Sequence, residues 1–195
     1  MITDINQLDF TKTYSYADYY TWEFDDRVEL FKGKIFEIGP SPGTRHQEVS
    51  RELAGNLWNS LKGKPHQLYI APFDVRLVRS GNSIKDEDVF TVVQPDLCII
   101  CDESKLDERG AIGVPDLIIE ILLPGNCKKE MSHKYELYQE AGVLEYWMVN
   151  LLDKTIFIYV LKNGVFIGQQ PLTEDSQIKS PLFPQLNFQV ADIFN

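Results

Sequence analysis

The segment "PDLIIEILL", residues 115–123, sets the tightest limit on the fold. From Leu117 to Leu123 it is apolar except for Glu120. In an extended chain Asp116, Ile118, Glu120 and Leu122 share one face, and Leu117, Ile119, Ile121 and Leu123 share the other. A strand apolar on both faces needs a covering layer on each side. A chain of this length meets that need with helices packed on a sheet. Glu120 is then a carboxylate inside an apolar layer. Left ionised and unpaired it would cost several kcal/mol, so it must be protonated, paired or bound to a cation.

The remaining elements fit that frame. "SYADYYTWE" carries a helix-start serine, Ser15. "RVELFKGKIFEI" alternates around Lys32-Gly33 and predicts a hairpin, and "GPSPGTR" reads as a loop. Thr44 and Gln47 match a capping box, and Val49, Leu53, Leu57 and Leu61 recur on one helical face. "QLYIAPFDVRLVR" and "VVQPDLCIIC" read as strands, with "DESKLDERGAIG" a polar connection before residue 115. "KKEMSHKYELYQEAG" predicts a helix ended by Gly142 in a left-handed cap. "EYWMVN" is a strand, and Asn163-Gly164 turns a second hairpin in "TIFIYVLKNGVFIG". The expectation is an α/β protein: a central mixed sheet flanked by helices, with a hairpin near each end, forming one domain over residues 1–195.

Composition narrows the function. The formal charge is −10, which argues against a broad electrostatic grip on nucleic acid and leaves room for a local basic groove. No apolar run is long enough to cross a bilayer, and "MITDINQLDF" lacks the layout of a signal peptide, so a cytoplasmic protein without a membrane partner is expected. Cys98 and Cys101 form a C-x-x-C, but their odd spacing in a strand puts them on opposite faces, against joint metal binding.

Partners for Glu120 can be sought by pattern. Asp96 opens the neighbouring apolar strand after Pro95. Two carboxylates on adjacent strands suit a hard cation such as Mg²⁺, which keeps its other positions for water and phosphate. Asp116 is an alternative ligand, although a residue at a strand start also suits a turn-capping role. On the following helix Cys127, Met131, Lys134, Tyr138 and Ala141 step by four and three residues along one seam, with Lys134 at its centre. Either Lys134 faces Glu120 or it pairs at the surface with Glu130. Glu29, on the first hairpin, and His46, at the start of the long helical stripe, are further candidates.

Taken in order, "ELFKGKIFEI", "SPGTRHQEV", "APFDVRL", "VVQPDL", "ERGAIGVPDLIIEIL", "KYELYQEAGVLEYWMVN" and "IFIYVL" resemble the PD-(D/E)XK nuclease superfamily. More closely, they resemble a large bacterial group of restriction-endonuclease-like proteins. The match runs from about Tyr16 to Tyr159. The resemblance implies a restriction-endonuclease-like core with Asp96 as the motif aspartate and Glu120 as the second carboxylate. The usual lysine two residues on is replaced by Leu122, and Lys134 matches the helical lysine thought to substitute for it. Glu29 and His46 match positions expected near the site. Two departures stand out: Leu123-Pro124-Gly125 where Ser-Pro-Ser is common, and Glu130 where an aspartate is common.

The function so implied is Mg²⁺- or Mn²⁺-dependent hydrolysis of DNA phosphodiester bonds, with Asp96 and Glu120 holding the metal. Lys134 would position the water, and His46 or Glu29 would assist. A homodimer is plausible by resemblance. The alternative is a non-catalytic module on a nuclease fold that binds nucleic acid or a protein partner.

Overall fold

The computed structural model describes residues 2–24, 27–37, 43–122 and 127–194, with the backbone alone for 127–131. In chain order the elements are α1 (Tyr16–Tyr19), β1 (Val28–Phe31), β2 (Lys34–Glu37), α2 (Thr44–Leu61), β3 (Gln67–Ile70), β4 (Val75–Arg76), β5 (Val92–Val93) and β6 (Leu97–Ile100). There follow β7 (Leu106–Asp107), β8 (Gly110–Ile112), β9 (Leu117–Leu122), α3 (Cys127–Ala141), β10 (Glu145–Asn150), β11 (Thr155–Lys162) and β12 (Val165–Gly168). The chain divides into two compact units. One is drawn from residues 1–40, 73–94 and 104–114, the other from 41–72, 95–103 and 115–195.

The first unit holds a mixed sheet in the order β2-β1-β5-β4-β8-β7. The β1–β2 hairpin turns at Lys32-Gly33 as the sequence predicts, both with positive φ. Ser15 caps α1 through a reciprocal capping box with Asp18. The core is Tyr16, Leu30, Val78, Val89 and Val92.

The second unit holds a mixed sheet in the order β12-β11-β10-β9-β6-β3. Its central strand β9 runs parallel to β10 and antiparallel to β6. The faces of β9 separate as alternation requires. Leu117, Ile119 and Ile121 pack with Val49, Leu53, Leu57 and Leu61 of α2. The opposite face carries Ile118 and Glu120 and meets α3, whose Lys134 and Tyr138 bond to Glu120. Two helices thus cover the two faces of one sheet, as a strand apolar on both sides demands. Gly142 stops α3 at φ 97°, with its N–H donating to the Tyr138 carbonyl. The β11–β12 hairpin turns on Asn163-Gly164, both at positive φ.

The structure corrects several local expectations. Thr44 is the first residue of α2 rather than its cap: Gly43 is the N-cap, with no side-chain cap bond. The segment from Gln67 to Arg76 is two strands, divided at Ala71-Pro72, with β3 and β4 in different sheets. Likewise "VVQPDLCIIC" divides at Pro95 into β5 and β6, in different sheets. Proline has no N–H for a ladder, which is why each apolar run breaks there. The polar connection "DESKLDERGAIG" contains the β7–β8 hairpin, whose strands are too short to show alternation. The "GPSPGTR" loop lies mostly outside the described residues.

Glu145 opens β10 with no exposed surface. It accepts hydrogen bonds from Trp147 Nε1 at 2.6 Å and from the Leu182 N–H at 2.8 Å, anchoring the C-terminal segment. Burial raises its carboxyl pKa above the ordinary 4.5, and these hydrogen bonds oppose the rise. The folded chain therefore holds this proton more tightly than the unfolded chain. The group's contribution to stability is present at acidic pH and is lost as pH rises from about 4.5 through the folded pKa. Urea titrations at stepped pH should show wild type losing stability relative to Glu145→Gln over that window, then levelling. A difference flat with pH would contradict this.

Candidate functional site

Of the candidate residues singled out in the sequence, all but Glu29 lie in the second unit. The β6–β9 register pairs Leu97 with Ile119, so its continuation sets Asp96 opposite Glu120. Asp96 stands just before β6, where the ladder ends, and its carboxylate continues the pairing: Oδ2 accepts the Ile121 N–H at 2.7 Å. His46, in the first turn of α2, brings Nε2 to 3.2 Å from the same oxygen. Which atom donates in this contact depends on the imidazole tautomer. The His46 side chain is buried, and its Nδ1 has no hydrogen-bond partner among the described residues.

Glu120 is buried at 7% exposure and Lys134 at 5%, which settles the choice left open in the sequence. Lys134 is not a solvated surface group: its Nζ lies 2.9 Å from Glu120 Oε1. Tyr138, one turn further along α3 and fully buried, donates its hydroxyl to the same oxygen at 2.6 Å. The buried carboxylate thus has a cation and a phenol as partners, the satisfaction that an apolar strand face requires. Close by, burial and then the Glu120 charge push the Cys98 thiol well above its usual pKa, so Cys98 is an inert buried thiol.

Asp116 separates from Asp96. Its Oδ2 accepts the Cys101 N–H at 2.8 Å, a strand-start role. Glu29 belongs to the first unit. It is fully buried in β1, and its Oε1 accepts the Gln94 N–H at 2.7 Å. In that unit the Gln94 amide also donates to Asp74 Oδ1 at 2.9 Å and to the Tyr19 hydroxyl at 3.1 Å. Burial raises the pKa of Asp74. Leu123, Pro124 and Gly125 lie outside the described residues, as does the Glu130 side chain.

Sequence reasoning named Lys134 but left Tyr138 as a filler of the same seam. The available signal was its spacing: Tyr138 is i+4 from Lys134, so both meet the same point on a facing strand. The Ile121 N–H on Asp96 had no sequence signal, because any residue supplies that donor.

Two oxygen-donor carboxylates at facing positions of neighbouring chain segments fit Mg²⁺ or Mn²⁺, which typically take one or two protein carboxylates. Among the described residues no cluster of three or more His, Cys, Asp or Glu could hold a metal by itself. No helix among the described residues is long and apolar enough to cross a membrane.

The Glu120–Lys134 pair gives a test that needs no ligand. Removing Lys134 alone takes the ammonium away from a buried carboxylate, so Lys134→Met should cost about 3 kcal/mol in urea unfolding. The double variant Glu120→Gln/Lys134→Met should recover much of that loss. Additive losses would show that the two side chains do not interact.

Comparison with known proteins bears on the fold and the family. The chain resembles a crystal structure of a "putative nuclease belonging to DUF820" from Anabaena variabilis ATCC 29413, with a TM-score of 0.71 and 17% identity. That alignment covers 93% of this chain and 97% of the other and shows a shared α/β, nuclease-like fold. The chain is also 25% identical over 145 residues to the uncharacterized protein slr1290 of Synechocystis sp., covering 73% of this chain and 71% of that protein. The Uma2 family model, described as "Putative restriction endonuclease", matches residues 16–191, and the chain belongs to that family.

Proposed function

We propose that the chain is a metal-dependent nuclease that hydrolyses phosphodiester bonds of DNA. The observation that carries this reading is the pairing of Lys134 with Glu120 on a strand whose neighbour presents Asp96 at its start. Family membership and the nuclease-like fold support it. Asp96 and Glu120 are the residues that would hold Mg²⁺ or Mn²⁺. The ion would supply a more acidic water and a Lewis acid for the phosphoryl oxygen.

The protein's own groups do the rest. The Ile121 N–H and His46 fix one oxygen of Asp96, which orients the carboxylate. Lys134 offsets the charge of Glu120 in the resting site, and its ammonium is within reach of a reacting oxygen at that carboxylate. There it orients the attacking water and stabilises charge growing on the phosphorus oxygens. His46 assists through Asp96, whose Oδ2 it meets with Nε2 at 3.2 Å. The resemblance also gives Glu29 a supporting role. Cutting both strands of a duplex asks for two such centres, which a homodimer would provide.

Purified protein should nick or cut plasmid DNA with Mg²⁺ or Mn²⁺ and not with chelator. Glu120→Ala and Asp96→Ala should reduce cleavage to background, and Lys134→Met should lower it by about 10²-fold or more. Cleavage that persists in Glu120→Ala would assign the activity elsewhere.

The charge of −10 favours a second reading, a non-catalytic module on the nuclease fold that binds a protein or nucleic-acid partner. Calorimetric titration with Mn²⁺ separates the two: absence of binding favours the module.

A further inference from the structure

We infer that Tyr138 is a positioning residue for Glu120, holding the carboxylate in its metal-binding orientation when Lys134 turns to the reacting oxygen. This rests on the nuclease reading and adds to it a residue that acts through the metal ligand.

Two donors of α3 meet at Glu120 Oε1. Lys134 reaches that oxygen at 2.9 Å and Tyr138 at 2.6 Å, from successive turns of α3. They differ in stiffness. An ammonium on a four-carbon stem rotates readily toward whichever anion attracts it most. The Tyr138 ring has no such freedom. It is fully buried and packs edge-on against Tyr146 of β10, with centroids 5.1 Å apart and planes at 68°. Tyr146 in turn stacks on Phe166 of β12 at 5.9 Å. The backbone of Tyr138 is fixed too: its carbonyl accepts N–H bonds from Gly142 and Val143 where the helix ends.

A cation at Glu120 would repel the Lys134 ammonium, and an arriving phosphate would attract it. Both forces draw Lys134 away from Oε1. A neutral phenol feels neither as a full charge, so its bond to Oε1 persists. Tyr138 thus keeps the carboxylate from following the lysine or rotating about its last torsion. Hydrogen-bond partners of metal-binding carboxylates typically change affinity or activity by about 10- to 100-fold when removed.

Tyr138→Phe removes the hydroxyl alone and keeps the ring against Tyr146. Tyr135→Phe is the control, since Tyr135 lies on the same helix and its hydroxyl donates to the Phe166 carbonyl, at 3.4 Å. Mn²⁺ affinity of the full chain, read by electron paramagnetic resonance, should fall about 10-fold in Tyr138→Phe and stay unchanged in Tyr135→Phe. Crystals of Tyr138→Phe should show Glu120 turned or split between orientations. In wild-type crystals soaked with Mn²⁺, Tyr138 should remain on Oε1 while Lys134 has left it. The inference is overturned if Tyr138→Phe keeps both the Mn²⁺ affinity and the Glu120 orientation, if both phenylalanine variants lose affinity equally, or if Tyr138 leaves Oε1 in the soaked wild type. A wild type that binds Mn²⁺ but cuts no DNA removes the nuclease reading and leaves the positioning role supported by the same comparison. A wild type that binds no Mn²⁺ overturns both.

Discussion

The charge on Glu120 is the constraint around which the second unit is arranged. A strand apolar on both faces can be covered by any two amphipathic helices, and burial alone leaves their rotation loosely set. A carboxylate in the middle of one face removes that freedom. The helix on its side must turn a cation and a second donor toward one point, and α3 does so with Lys134 and Tyr138 one turn apart. A slip of α3 by one residue would swing both donors by about 100° and take them off the carboxylate, at a cost larger than most packing differences. The helix then has to end where its carbonyls can be closed, and Gly142 at φ 97° does this directly before the turn into β10. Glu120 therefore sets the rotation of α3, and through it the approach of the strand that runs parallel to β9.

Asp96 is governed by a different rule. It stands where β6 begins, after a proline that cannot donate to a ladder, so its side chain is freed from regular pairing. The carboxylate takes the place of a backbone acceptor by receiving the Ile121 N–H. Because that N–H belongs to the residue after Glu120, one hydrogen bond fixes how far the two strands slide past each other at the site. His46 adds a second hold on the same oxygen from the start of α2, the helix that covers the opposite face. Ladder end and helix start thus converge on one carboxylate.

These two cases also explain what could be read from sequence. Where a residue's placement follows from periodicity, the reading succeeds: the α2 stripe Val49, Leu53, Leu57 and Leu61 is buried, and Lys134 lies on the inner seam of α3. It succeeds again where a backbone conformation demands a residue type, at Lys32-Gly33, Gly142 and Asn163-Gly164. It fails where continuity of apolar residues hides a change of sheet, as at Pro72 and Pro95, because hydrophobicity does not say which sheet a strand joins. It fails for the β7–β8 hairpin, where two- and three-residue strands carry no pattern. It also undervalued Tyr138, since a buried tyrosine reads as packing until a partner for its hydroxyl is in view.

The lysine shows why a motif and a site are different things. A lysine at position 122 would share a β9 face with Glu120, two residues along the strand. Position 122 holds a half-buried leucine instead, and the ammonium comes from α3. Electrostatics depends on where the charge sits and on how much water surrounds it, not on which element carries the stem. Carrying the lysine on a helix does change one property: a second donor, Tyr138, reaches the same oxygen of Glu120 from one turn further along the same element. Residues two apart on a strand share a face but not an oxygen in this way, whereas residues four apart on a helix converge on one point of a facing strand. Lys134 and Tyr138 are therefore two parts of one solution to the same buried charge.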